Sequence, residues 1–181
     1  LAATCTTAIV QDLEMAGEWT LAFTWLEIAE EYQTQTRSWG GLAASYQWHG
    51  YLLIAYGMYG EALERLEQAV HYARLSTNRS ALAWSWLNLA DLSLRIDDPA
   101  TAQMHSARAR TFMEASEDRW GQAMVLGLQG DAAYSAGRYD QAREAYSAAV
   151  EVTMAGNPGL AVTLERKLAR LASGRGFEAE A

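Results

Sequence analysis

Apolar residues recur three or four positions apart along most of the chain, the spacing that places them on one face of a helix. From Tyr59 onward, for example, Ala62, Leu66 and Ala69 follow this spacing, and charged residues lie between them. Glycines and short polar clusters interrupt the pattern and mark the helix ends. The pattern predicts helices at about 3–16, 19–34, 40–57, 60–75, 79–96, 99–115, 119–136, 139–155 and 159–172.

The pattern also repeats with a period of 40 residues, which predicts four copies of one helix pair. Three columns of mostly small residues would let the paired helices approach closely. These columns hold Ala22, Ala62, Ala102 and Ala142; Ala29, Ala69, Ala109 and Ala149; and Val10, Gly50, Ala90 and Gly130. A turn column holds Gly17, Gly57, Asp97 and Gly137. In the third copy, Asp98 and Pro99 are expected to form the N-cap and first residue of the second helix.

Two copies carry the same ordered set of packing residues, namely Gly50, Gly57, Tyr59, Ala62, Leu66 and Ala69, and Gly130, Gly137, Tyr139, Ala142, Tyr146 and Ala149. This order resembles the tetratricopeptide repeat, whose usual period is about 34 residues. The longer period and polar joints such as Ser76-Thr77-Asn78-Arg79 resemble the subgroup found in MalT-like and AfsR-like bacterial transcription regulators and in spindle-orientation adaptors. The resemblance implies an all-α fold, a right-handed α-α superhelix of four helix pairs with a C-terminal capping helix.

We expect a single domain over residues 1–172 and a flexible tail over 173–181. Because the chain begins at Leu1, with neither an initiator Met nor a basic leader, we also expect a fragment of a longer protein. End-to-end homodimers through the first repeat are one expected arrangement. The repeats are expected at about 1–38, 39–78, 79–118 and 119–157, followed by the cap at 158–172.

Charge and hydropathy limit the classes of partner. The chain has 22 acidic and 14 basic residues and a net charge of −8, so nucleic acid contact is not expected. The longest apolar run, Tyr51–Tyr59, is far shorter than the ~20 residues that span a bilayer. Cys5 is the only cysteine and leaves no internal disulfide. A cytoplasmic protein without membrane contact is therefore expected.

The resemblance also implies a binding site, because the first helices of tetratricopeptide repeats line a concave groove. An aromatic and acidic groove would favour an apolar or basic peptide, or an inserted helix. The alternative is that several of these side chains pack between neighbouring repeats. Relatives that clamp a C-terminal carboxylate use lysine, arginine and asparagine, which only Asn88 and Arg95 match, so no such clamp is expected. Transferred to this sequence, the groove positions include Trp48, Tyr51, Trp84, Asn88, Asp91, Arg95, Asp131 and Tyr134.

Three further side-chain environments are expected from helical spacing. We expect one aromatic group in the core, one acidic group in water, and one basic group on the exposed side of the last helix. These groups are Trp19, Phe23 and Trp25; Glu27, Glu30 and Glu31; and Arg166, Lys167 and Arg170, respectively.

The residues that commonly carry catalysis form no recognisable site. His49, His71 and His105 lack the spacing of metal ligands, and the glycines at 127 and 130 lie within a helix. We therefore expect no enzyme activity, cofactor or metal. The favoured function is protein or peptide binding, as the sensor or scaffold segment of a larger bacterial signalling or transcription regulator. The alternative is a small-molecule effector-binding domain of such a regulator.

Overall fold

The structure, a computed structural model, describes residues 2–153 and 158–173, which form nine α-helices. Each helix lies within two residues of its predicted bounds, and the predicted all-α helical-repeat class is confirmed. The predicted tail lies, beyond Ser173, outside the described residues. The helices are α1 Ala2–Met15, α2 Trp19–Gln35, α3 Trp39–Ala55, α4 Tyr59–Leu75, α5 Arg79–Arg95, α6 Pro99–Ala115, α7 Arg119–Ser135, α8 Tyr139–Thr153 and α9 Pro158–Ala172.

The chain divides into two compact units, Leu1–Leu92 and Ser93–Ala181, and the boundary falls within α5. Each unit is described by itself. The assignment of residues 1–172 to a single domain stays a prediction.

Seven of the described helix ends share one turn geometry. In α3, Gly57 adopts a φ of +75°, its N–H donates to the carbonyl of Ile54 at 3.0 Å, and the next N–H, of Met58, donates to Leu53 at 2.9 Å. This is the Schellman arrangement, which satisfies carbonyls that the helix leaves unpaired. Because α2 to α7 each contain 17 residues, a three-residue connection produces a helix every 20 residues. The residues at positive φ are Gly17, Arg37, Gly57, Thr77, Asp97, Glu117 and Gly137.

The start of α6 confirms the predicted cap. The Asp98 carboxylate accepts a hydrogen bond from the backbone N–H of Thr101 at 3.0 Å, and Pro99 occupies the first turn. Hydrogen bonds from Thr101 hold the pKa of Asp98 below its ordinary value. Asn78 and Asp118 cap α5 and α7 in the same way, by accepting from Ala81 at 3.0 Å and Gly121 at 2.9 Å.

The two alanine columns lie in the core. All eight alanines are at most 8% exposed. Gly50 and Gly130 are also buried, and a Cβ added to either residue would collide with the facing side chain. That side chain is Leu66 opposite Gly50 and Tyr146 opposite Gly130. The paired helices α3 and α4, and α7 and α8, therefore approach closely where the sequence predicts it.

Each unit has its own apolar core. In the first unit, Val10, Ala22, Leu26 and Leu52 form a buried cluster from α1, α2 and α3. In the second unit, α7 and α8 contribute Ala133, Ala142, Tyr146 and Ala149, and α9 adds Leu164. The last helix therefore covers part of the core of the second unit, as expected of a cap.

Glu30 is not in water, so that expectation is wrong. Glu30 is 7% exposed, and its carboxylate lies 2.8 Å from Nδ1 of His49 and accepts from Arg65 at 3.2 Å. These partners belong to α3 and α4, toward which position 30 of α2 is turned. A buried carboxylate requires such partners, because its desolvation would otherwise cost several kcal/mol. Glu27 and Glu31 are exposed as expected.

The expectation for the aromatic group is wrong at one residue. Trp19 and Phe23 pack against the core of the first unit and meet Tyr56 edge-on, with ring centroids 5.4 and 5.7 Å apart. Trp25 is instead 40% exposed. The three tryptophan and phenylalanine side chains therefore leave α2 in different directions.

The close approach at Gly130 leads to a stability prediction. We expect Gly130→Ala to lower the free energy of unfolding by about 1–3 kcal/mol, because the added Cβ overlaps the Tyr146 ring. Gly60→Ala is the matched control, since nothing lies within 4 Å of its added Cβ, and it should stabilise the helix by up to about 1 kcal/mol. Urea denaturation followed by circular dichroism measures both. Equal effects would contradict the close approach.

The non-glycine turn residues lead to a second prediction. Thr77 has a φ of +54° and an exposed side chain, and a β-branched residue is strained in this conformation. We expect Thr77→Gly to raise the free energy of unfolding by about 1 kcal/mol. The reciprocal change Gly57→Thr, at the equivalent turn after α3, should lower it. Thermal denaturation of the two variants tests the turn geometry, and destabilisation by Thr77→Gly would contradict it.

Candidate functional site

In the first unit, α3 and α5 carry five of the predicted groove residues. The rings of Trp48 and Tyr51 meet edge-on with centroids 5.6 Å apart, and both pack against the core while keeping part of their surface in water. Trp84 is likewise half-buried. These aromatic side chains therefore contribute to packing and remain accessible to a ligand.

A carboxylate that the sequence analysis did not select joins Tyr51. The Tyr51 hydroxyl donates a hydrogen bond to Oε1 of Glu14 at 3.1 Å. Burial, the charge and hydrogen bond of Glu14, and the charge of Asp91 together raise the pKa of Tyr51 to about 12. The hydroxyl therefore keeps its proton at neutral pH. We call Glu14, Trp48, Tyr51 and Asp91 the acidic aromatic surface.

The repeat itself contains the signal that identifies Glu14. Residue 14 is the equivalent, three periods earlier, of Tyr134, which is one of the predicted groove residues. The equivalent residue in the second repeat is Ile54, which is buried. The column therefore changes from apolar to acidic in the first repeat, and that change was the available clue.

Asn88 has a structural contact. It is 7% exposed, and its amide donates to the backbone carbonyl of Gln47 at 3.4 Å. This hydrogen bond joins α5 to α3 within the first unit. Asn88 thus fits the alternative in which some groove positions pack between neighbouring repeats.

In the second unit, the predicted groove residue Asp131 is engaged by two side chains. The hydroxyl of Tyr146 donates to its carboxylate at 2.7 Å, and Nζ of Lys167 lies 2.6 and 2.7 Å from its two oxygens. Nζ also lies 5.4 Å from the centroid of the Tyr146 ring. Burial and the neighbouring Asp131 raise the pKa of Tyr146. We call Asp131, Tyr146 and Lys167 the Asp131 cluster.

The Asp131 cluster corrects one expectation for α9. Lys167 does not lie on the exposed side of this helix, because its side chain is only 28% exposed and reaches Asp131 on α7. Arg166 and Arg170 are exposed as expected. The cluster thus attaches the cap to α7 and α8 by a charge-assisted hydrogen bond.

The two remaining groove residues also lie in the second unit. The Tyr134 ring meets Tyr139 edge-on at 5.3 Å and packs against the core, and Arg95 is exposed at the end of α5. That these residues bind a ligand stays a prediction.

Other chemistry has little support in the part of the chain that the structure describes. Over residues 2–153 and 158–173, no three side chains of His, Cys, Asp or Glu are grouped so that they could hold a metal ion. Within the same ranges, every helix is too short or too polar to cross a membrane.

The helical-repeat fold is shared with solved structures. The structure matches 23 solved chains. Among them is the crystal structure of BtubC (BKLC) from P. vanneervenii, with a TM-score of 0.72 over 97% of this chain and 82% of that chain. The two sequences are 15% identical, so the likeness shows the fold alone. No protein-family profile and no curated protein matches the sequence.

The Asp131 cluster leads to a prediction about the cap. We expect Lys167→Met to lower the free energy of unfolding by about 1 kcal/mol, after allowance for partial exposure, and to speed amide hydrogen exchange in α9. Arg166→Met, which removes an exposed charge from the same helix, is the matched control. Hydrogen exchange measured by mass spectrometry tests this. Similar exchange in both variants would contradict attachment through Lys167.

Proposed function

We propose that this chain is a tetratricopeptide-like protein-interaction module that binds a basic segment of a partner through the acidic aromatic surface. The observation that carries the proposal is the convergence of Glu14 and Asp91 on the half-buried Tyr51, beside Trp48. The aromatic rings offer apolar area and a face for a cation, and the two carboxylates offer charge-assisted acceptors. A lysine or arginine side chain between apolar neighbours fits this chemistry.

The wider assignment rests on the repeat. Eight buried alanines and the glycines opposite Leu66 and Tyr146 support tetratricopeptide-like packing, although the period of 40 residues exceeds the usual one. We place the module in a larger cytoplasmic bacterial regulator, as a sensor or scaffold without enzyme activity. The net charge of −8 supports a basic protein partner over nucleic acid.

Peptide binding tests the proposal. Immobilised 15-mer peptides of fixed apolar content and graded charge, from lysine-rich to glutamate-rich, serve as probes. We expect wild type to prefer the basic peptides. The double variant Glu14→Gln, Asp91→Asn should weaken this binding by about tenfold, because it removes both charges and keeps the side-chain shapes.

The control variant is Glu61→Gln, Glu64→Gln, which changes the net charge equally at two exposed residues of α4. We expect it to bind basic peptides within about twofold of wild type. Equal weakening by both variants, or no preference for basic peptides, would exclude the proposed role of the acidic aromatic surface. A metabolite that raises the melting temperature of wild type and not of the Glu14, Asp91 variant would instead identify a small-molecule effector site.

A further inference from the structure

The outer helix of the first repeat carries a continuous apolar stripe. Leu21, Trp25, Ile28 and Tyr32 are 45, 40, 53 and 55% exposed, respectively. Their spacing of four, three and four residues places them on one face of α2, over about 17 Å at 1.5 Å per residue. We call these four residues the α2 stripe. Its length equals three turns of a second helix laid along it.

In the second repeat, the equivalent face of α4 is covered by helices. Arg65, the equivalent of Trp25, lies over the Tyr46 ring of α3 at 5.5 Å and donates to Glu30 of α2 at 3.2 Å. Tyr72, the equivalent of Tyr32, stacks on Tyr46 with ring centroids 5.6 Å apart. This face of an outer helix is thus one that receives other helices. The same face of α2 is exposed and apolar.

The surroundings of the α2 stripe are acidic. Glu18 lies three residues before Leu21 and Glu31 three residues after Ile28, so both exposed carboxylates adjoin the stripe. Residues 2–36 contain no lysine, arginine or histidine. The acidic residues in this range are Asp12, Glu14, Glu18, Glu27, Glu30 and Glu31.

We propose that the α2 stripe is a second docking surface, which binds an amphipathic helix of a partner protein with apolar residues on one face and lysine or arginine on its flanks. The apolar face would cover the four side chains of the stripe, and the basic flanks would meet Glu18 and Glu31. A helix suits the site because helices cover the same face of α4.

Charge argues against a second copy of this chain as the occupant. A copy has a net charge of −8 and would bring its own acidic residues to an acidic rim. Its basic helix α9 has Lys167 engaged with Asp131. The proposal is independent of the function proposed for the acidic aromatic surface, because it concerns a different face of the first unit and different residues.

A defined peptide tests this proposal. The probe is an 18-residue amphipathic peptide with leucines on one helical face and lysines elsewhere, labelled for fluorescence anisotropy. Two control peptides carry glutamate in place of lysine, or the same residues in an order that has no apolar face. We expect wild type to bind the first peptide at least about tenfold more tightly than either control. Raised salt should weaken this binding, because the flanking charges contribute to it.

Two double variants locate the contact. Leu21→Gln, Ile28→Gln should weaken the binding of the lysine peptide by about tenfold or more. Leu63→Gln, Met104→Gln changes two other exposed apolar side chains and should leave binding within about twofold. The Glu14→Gln, Asp91→Asn variant should also leave it within about twofold, which separates this test from that of the acidic aromatic surface. Circular dichroism of each variant checks that it is folded.

Four results would overturn the proposal. The first is binding that the stripe variant leaves unchanged, and the second is equal binding of the peptide that lacks an apolar face. The third is the absence of binding to wild type. The fourth is a wild-type dimer, seen by analytical ultracentrifugation, that the stripe variant abolishes, which would assign the stripe to a second copy.

Discussion

The close approach of paired helices is the constraint on which the rest of each unit depends. Two helices interlock only where small residues on one leave room for large residues on the other. In this chain Gly50 accepts Leu66 and Gly130 accepts Tyr146, between two columns of buried alanines. Because the pairs are close, polar groups at their margins lie within reach of each other. The contact of Glu30 with His49, and that of Tyr146 with Asp131, both depend on this packing.

The helices and their pairing could be predicted because they follow from local and periodic signals. Helix ends depend on a few neighbouring residues, as the capping of α6 by Asp98 shows. The turns at Thr77 and Glu117 adopt positive φ without glycine, which is the usual sequence signal, so their conformation was not predicted. There the Schellman hydrogen bonds of the surrounding turn compensate the strain.

The environments of individual charged and aromatic side chains could be predicted less well. Glu30 is buried and Trp25 exposed because each depends on which neighbouring helix covers its face of α2. Hydrophobic periodicity within one helix does not contain that information. The same limit applies to the candidate site. Tyr51 and Asp91 were selected correctly as neighbours in one region, but their link to Glu14 depends on the packing of α1 against α3.

The Asp131 cluster has a practical consequence for chemical modification. Lys167 is the only lysine in the 181 residues, so the chain has a single ε-amine for acylation. That amine donates to Asp131 and holds α9. Acylation by an amine-reactive dye or by an acetyltransferase would remove its positive charge and leave the carboxylate with Tyr146 alone. Attaching probes or surfaces through amines would thus loosen the cap, whereas attachment at Cys5 would leave its ion pair intact.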